Sequence, residues 1–155
     1  MLCACREIID KYATSRKLYQ QQTEDACKPL YQFMEAETAR IKDEIINHII
    51  VFHVTLNDLN SLIAIITKLF SPDMFPKVIL RIAEISLERN AIQAFQEILP
   101  CILRMKDQYK VEDQPKVDAA LVRGAVLAIK SGNLPFASEI MALIPGRKEE
   151  IISLT

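Results

Sequence analysis

The amino-acid sequence predicts an all-α protein of antiparallel helical hairpins, with about seven helices that form a short α-solenoid or an irregular helical bundle. Only three of its 155 residues are glycine, so few positions suit the tight turns that a many-stranded sheet requires. Apolar residues recur at three- and four-residue steps along most of the chain, which is the period of a helix with one buried face. The length suits a single domain over residues 1–155.

Two longer helices are predicted over residues 1–55. The first covers about residues 2–21 and ends in the polar segment 20–24. The second begins near Pro29, because proline is tolerated in the first turn of a helix, and it continues to about His53. Its apolar positions recur at the helical period, so they form one stripe that is expected to face partner helices.

Residues 57–146 are predicted to form helical hairpins. Asn57 suits the N-cap of one helix, and Gly132 suits the C-terminal cap of another. Pro100 lies inside a helix, where it removes a backbone donor, so a kink or an early end near Glu97 is expected. The predicted helices span residues 58–70, 76–89, 92–102, 116–131 and 134–143, and residues 147–155 are typical of the start of another helix.

An internal repeat is one interpretation of these hairpins. A shift of roughly 42 residues overlays the apolar positions of 78–102 on those of 120–144, and a shift of about 33 overlays 59–69 on 92–102. Both spacings lie within the range of helical-hairpin repeats. Amphipathic helices in a plain bundle produce similar matches, so a solenoid of repeats and a bundle both remain open.

One hairpin carries a family resemblance, over roughly residues 116–146. Its segment 128–141 resembles the turn and second helix of tetratricopeptide and pentatricopeptide repeats, in which a glycine ends the first helix and an alanine follows about five positions later. Gly132 and Ala137 occupy those positions. The resemblance implies a helical hairpin of that kind. An RNA-binding repeat is a further alternative, although a pentatricopeptide-style code needs several regular copies that this sequence lacks.

Composition and charge argue against several classes of protein. Nineteen basic and twenty acidic residues give a formal charge of -1, which supplies no general attraction for nucleic acid or an anionic membrane. The longest apolar stretches, 45–54 and 62–70, are each roughly half the length of a membrane span. No apolar leader precedes Arg6, so we expect a cytoplasmic protein, with the membrane periphery or secretion as an effector as alternatives.

Candidate residues for metal binding or catalysis do not form a recognisable site. His48 and His53 are about 140° apart around a helix, which is unsuitable for holding one metal ion. Glu44 and His48 have the right spacing but supply only two of the usual three or four ligands. The glycines are isolated, so no phosphate-binding loop or dinucleotide fingerprint exists. We therefore expect a protein that is not an enzyme and that needs no cofactor and no metal.

The chain's last residues are the candidate interaction surface. Ile151, Ile152 and Leu154 are apolar positions on a helix too short to bury them alone, whereas a finished solenoid normally ends in a polar cap. This end is expected to pack back on the core, to mediate self-association, or to continue into further sequence. The first hypothesis for function is a module that binds a helix or peptide of another protein.

The alternative hypothesis involves the N-terminal cysteines. Cys3 and Cys5, followed by Arg6 and Lys11, resemble the double-palmitoylation sites at the N-terminus of some peripheral membrane proteins. Two acyl chains suffice for stable anchoring to a membrane. The pattern is thus consistent with a membrane-tethered adaptor or a secreted effector that is acylated at these two residues.

Overall fold

A computed structural model describes the backbone of residues 2–155 and the side chains of all of these except residues 2–5, 12, 15–27 and 30–31. The chain divides into two compact units, Met1–Ile45 and Ile46–Thr155, and each is described by itself. The single domain over residues 1–155 stays a prediction from the sequence. The division falls inside a helix, where no composition shift or loop marks it in the sequence.

The fold is all-α, as predicted, with no strand in residues 2–155. Short 3-10 turns at Pro72–Met74, Lys106–Gln108 and Pro145–Arg147 connect some of the helices. No helix in the described residues combines the length and apolar composition of a membrane span. The α-helices are α1 (Leu2–Thr55), α2 (Leu59–Leu69), α3 (Phe75–Glu88), α4 (Ile92–Arg104), α5 (Gln114–Lys130), α6 (Leu134–Leu143) and α7 (Lys148–Leu154).

The predicted break in the first 55 residues is wrong. A single helix, α1, runs from Leu2 to Thr55, with Pro29 inside it. Polarity was the sequence signal for a break at 20–24, but glutamine and glutamate are good helix formers. A polar segment therefore ends a helix only when it also contains a residue that disfavours helical backbone.

The predicted early end of the fifth helix near Glu97 is also wrong. α4 continues through Pro100 to Arg104. Pro100 is exposed, and so is Gln96, whose backbone carbonyl loses its hydrogen-bond donor. Ile98 and Ile102 on either side of Pro100 are fully buried. Burial of these neighbours holds the helical backbone that proline by itself disfavours.

The core of the unit Ile46–Thr155 is apolar and centres on α3, α4 and α5. α3 packs against α4, α5 packs against α6, and α3 also contacts α5. The ring of Phe95 in α4 is fully buried and meets Phe136 of α6 edge-on, with 6.2 Å between the ring centroids. Successive hairpins thus share one continuous core.

Three of the helix connections share one backbone geometry. In each, the residue after the helix has a positive φ: 54° at Asn57, 54° at Asn90 and 77° at Gly132. The next amide then donates to a carbonyl oxygen five residues earlier, which is the hydrogen bond of a Schellman motif. These bonds join the amide nitrogens of Asp58, Ala91 and Asn133 to the carbonyl oxygens of His53, Ser86 and Ala128, at 2.9, 2.8 and 2.8 Å.

The first of these turns corrects the predicted cap of α2. Asn57 was expected to be the N-cap, but it is the left-handed residue that ends α1. The N-cap is Asp58, whose carboxylate accepts a hydrogen bond from the Ser61 N–H at 3.2 Å. A hydrogen bond with the Ser61 side chain, together with this N–H bond, lowers the pKa of Asp58. Both asparagine and aspartate suit a helix start in sequence, and only the backbone path separates the two roles.

The left-handed backbone at Gly132 predicts that alanine costs more stability there than at Gly146. Replacing Gly132 with alanine is expected to lower the free energy of unfolding by about 1–2 kcal/mol, because a side chain at positive φ crowds the following carbonyl. Gly146 is the matched control, since its φ is not positive and an added Cβ would meet no atom within 4 Å. Urea unfolding of both alanine variants measures the difference, and equal losses would contradict the prediction.

Candidate functional site

The predicted C-terminal surface is divided between the core and solvent. Ile151 is fully buried, so its assignment to an interaction surface is wrong. The reason is that α7 packs against α5 and turns Ile151 into the core. Ile152 and Leu154 stay exposed, at 56% and 52% of their surface. The end of the chain thus packs back, and two of its three apolar positions remain available.

Leu154 lines a groove between α3, α5 and α7 that we call the α5 groove. Its volume is about 260 Å³. The groove lies beside the second Schellman turn, whose left-handed residue Asn90 contributes to its lining. Its apolar members are Leu87, Val126, Leu127 and Leu154, and its polar members are Asn90, Arg123 and Lys130.

The α5 groove combines apolar surface with positive charge. Arg123, Leu127 and Lys130 follow one another at steps of four and three residues, which places them on one face of α5. Both cations are exposed, and within the described side chains neither makes an ion pair. Val126 and Leu127 are half-buried. The groove therefore suits an apolar side chain that carries negative charge nearby.

No motif in the sequence predicted this groove. Arg123, Val126 and Lys130 lie in the helix predicted over residues 116–131, which was not expected to form a binding site. A signal was present, because Lys116, Arg123 and Lys130 recur every seven residues and so mark one polar face of α5. The apolar part had no such signal, since α3 and α7 contribute to it from distant parts of the sequence.

A second pocket, of about 360 Å³, contains the half-buried thiol of Cys101. Ile63, Ile66 and Ile79 make it largely apolar. The Arg104 Nη2 lies 3.5 Å from the Cys101 Sγ and donates to it. A half-buried free thiol among apolar side chains is typical of a cysteine that packs as a small hydrophobic residue.

A third pocket, of about 490 Å³, is polar and lies beside Tyr109. The Tyr109 hydroxyl is buried and has no hydrogen-bond partner among the described residues. Burial raises the pKa of Tyr109 to about 12, and the neighbouring Cys101 and Asp113 add to the effect. Tyr109 is therefore neutral at physiological pH and is not positioned to act as a base.

The histidines of α1 lie in different surroundings. His48 is exposed, whereas His53 is half-buried and packs edge-on against Phe52, with 5.3 Å between the ring centroids. The Nδ1 atom of His53 has no hydrogen-bond partner among the described atoms. Within the described side chains, no group of three histidine, cysteine, aspartate or glutamate residues is close enough to hold a metal ion.

The side chains of Cys3 and Cys5 lie outside the described residues, so the acylation hypothesis stays a prediction from sequence. Comparison of the chain with protein-family models, with curated proteins and with solved structures finds no match.

Proposed function

We propose that the chain is a non-enzymatic helical-repeat module that binds an apolar segment of another protein in the α5 groove. The observation that carries this proposal is the groove itself, in which the exposed Leu154 and the half-buried Val126 and Leu127 lie beside two cations that have no described acidic partner. Such a surface matches an apolar anchor flanked by acidic residues.

The repeat interpretation is supported by the three Schellman turns. Their left-handed residues, Asn57, Asn90 and Gly132, are separated by the two shifts, 33 and 42 residues, that overlay the hairpins in sequence. In a repeat protein each hairpin packs on its neighbours, and the grooves between them bind ligands. The likeness of residues 116–146 to tetratricopeptide hairpins belongs to this proposal, in which the unequal spacing makes the repeat irregular.

The proposal is tested by a matched pair of substitutions on α7. Leu154→Asp changes the lining of the α5 groove, whereas Ile152→Asp places the same charge at a similarly exposed position of α7 that does not line the groove. The measurement is affinity capture followed by quantitative mass spectrometry, and we expect it to recover a reproducible set of partner proteins. The Leu154→Asp variant alone should lose these partners at least tenfold, because burying a carboxylate in an apolar contact is unfavourable.

Two outcomes would contradict the proposal. Capture of no reproducible partner would remove the binding function. Loss of the partners from the Ile152→Asp variant but not from Leu154→Asp would place binding on the exposed end of α7 instead of the groove. Circular dichroism of both variants shows whether they keep the helical content of the wild type, and a third variant, Lys130→Glu, tests the contribution of charge.

A further inference from the structure

The helix of the unit Met1–Ile45 presents a row of large apolar side chains to solvent. This unit consists of α1 alone, so within the described residues no second helix of the unit covers the row. Its exposed members are Phe33, Met34, Ile41 and Ile45, each with between 48% and 63% of its surface accessible. Side chains of this size are normally covered, which makes the row a candidate interaction surface.

The spacing in this row is that of a coiled-coil seam. Met34 and Ile41 are seven residues apart, as are Thr38 and Ile45, and the two pairs interleave at steps of four and three. This is the pattern of alternating a and d positions, with Thr38 and Ile45 at a and Met34 and Ile41 at d. A helix with this seam packs knobs-into-holes against a helix that has the same seam.

The charges beside the seam indicate which helix that is. In this register Glu37 and Glu44 occupy g positions, and Glu35 and Lys42 occupy e positions. In a parallel pair of identical helices each g residue faces the e residue five positions later on the other chain, so Glu37 faces Lys42 of the second copy. The pair forms twice because of the two-fold symmetry.

Other occupants fit these charges less well. In an antiparallel pair, g faces g and e faces e, so Glu37 would repel Glu44 of the second copy while Glu35 attracts Lys42, and the attraction is offset. An anionic membrane surface would meet the carboxylates of Glu37 and Glu44 along one edge of the seam, where interfacial helices carry cations. Glu44 is exposed and Glu37 is half-buried, and both pair with Arg40 of their own chain. Ion pairs this accessible to water are weak enough to rearrange.

We infer that residues 33–45 of α1 pair in parallel, and in register, with the same segment of a second copy of the chain. Two heptads form a short seam, so the dimer is weak and dissociates on dilution. This surface is separate from the α5 groove, and the dimer does not depend on the proposed protein-binding function.

Sedimentation equilibrium of the full chain tests this inference. The chain is measured over a series of concentrations, in reducing buffer at low salt. We expect a reversible monomer–dimer equilibrium. Ile41→Glu combined with Ile45→Glu should weaken association by at least about tenfold, because it buries four carboxylates in the dimer. Ile152→Glu is the matched control at an equally exposed isoleucine and should leave the equilibrium unchanged.

Charge reversal tests the orientation. Glu37→Lys and Lys42→Glu should each weaken the dimer several-fold, and the two together should restore it, since the reversed pair attracts again. Strengthening by Glu37→Lys alone would indicate an antiparallel pair and would overturn the inference. Three further results would overturn the inference. They are a monomer at every concentration, a dimer unaffected by Ile41→Glu combined with Ile45→Glu, and a dimer lost only with Ile152→Glu. Circular dichroism confirms that each variant keeps its helical content.

Discussion

Replacing Ile151 with alanine is expected to lower the free energy of unfolding by about 2–5 kcal/mol, whereas the same change at Ile152 should alter it by less than about 0.5 kcal/mol. Ile151 has no exposed surface, and its truncation leaves a cavity where α7 packs on α5. Ile152 has more than half of its surface exposed, so its truncation removes few contacts. Domains of ordinary stability unfold with about 5–15 kcal/mol, so the first loss is a large fraction of the total.

Urea unfolding of the two variants, followed by circular dichroism, measures this contrast. The pair is closely matched, because the residues are neighbours in one helix and undergo the same chemical change. Similar small losses at both positions would show that α7 is not docked on the core. Similar large losses would show that Ile152 is buried in solution. A contact with a second copy, or with residues outside the described set, would bury it.

Replacing Gly124 with alanine is expected to destabilise the protein by about 1–3 kcal/mol, although alanine ordinarily favours a helix over glycine by about 1 kcal/mol. A Cβ atom at this position would lie 2.2 Å from the Cε1 atom and 2.6 Å from the Cζ atom of Phe95. The ring of Phe95 is fully buried and packs against Phe136, so it has little space to move away. The clash therefore outweighs the gain in helix propensity.

A double-mutant cycle with Phe95→Leu tests this reason. Phe95→Leu alone should lose stability, because it leaves unfilled space beside Gly124. With alanine at residue 124 part of that space is filled, so the combined loss should be smaller than the sum by about 0.5–3 kcal/mol. Additive losses, or a stabilising Gly124→Ala, would show that α4 and α5 are farther apart than described.

Most of the helices of the unit Ile46–Thr155 can be predicted from the sequence within a few residues. Gly132 ends α5 because glycine accepts a left-handed backbone, and Asn133 caps α6 through its side chain, which accepts from the Phe136 N–H at 3.4 Å. Each of these signals depends on residues three or four positions apart. Two predicted helix ends are wrong. The end at 20–24 was predicted from polarity, and the end near Glu97 was predicted from Pro100, whose effect on the helix is compensated by burial of its neighbours.

The candidate site was predicted less well. Leu154, predicted as part of an interaction surface, is exposed, whereas Ile151, predicted for the same surface, is buried. The α5 groove needs Leu87 from α3 and Val126 from α5 in addition to Leu154, and these residues are dozens of positions apart. The apolar period of a helix shows that one face is buried, but it does not show which neighbouring helix leaves a gap beside it.

The sequence by itself determined the helical class, the position of most turns and the near-neutral charge, because backbone preferences, caps and composition are local properties of the chain. The tertiary structure alone decided that Ile151 is core while Ile152 is surface, and that Gly124 admits the ring of Phe95. These outcomes depend on how close two helices approach, and that distance is set by all of the side chains packed between them.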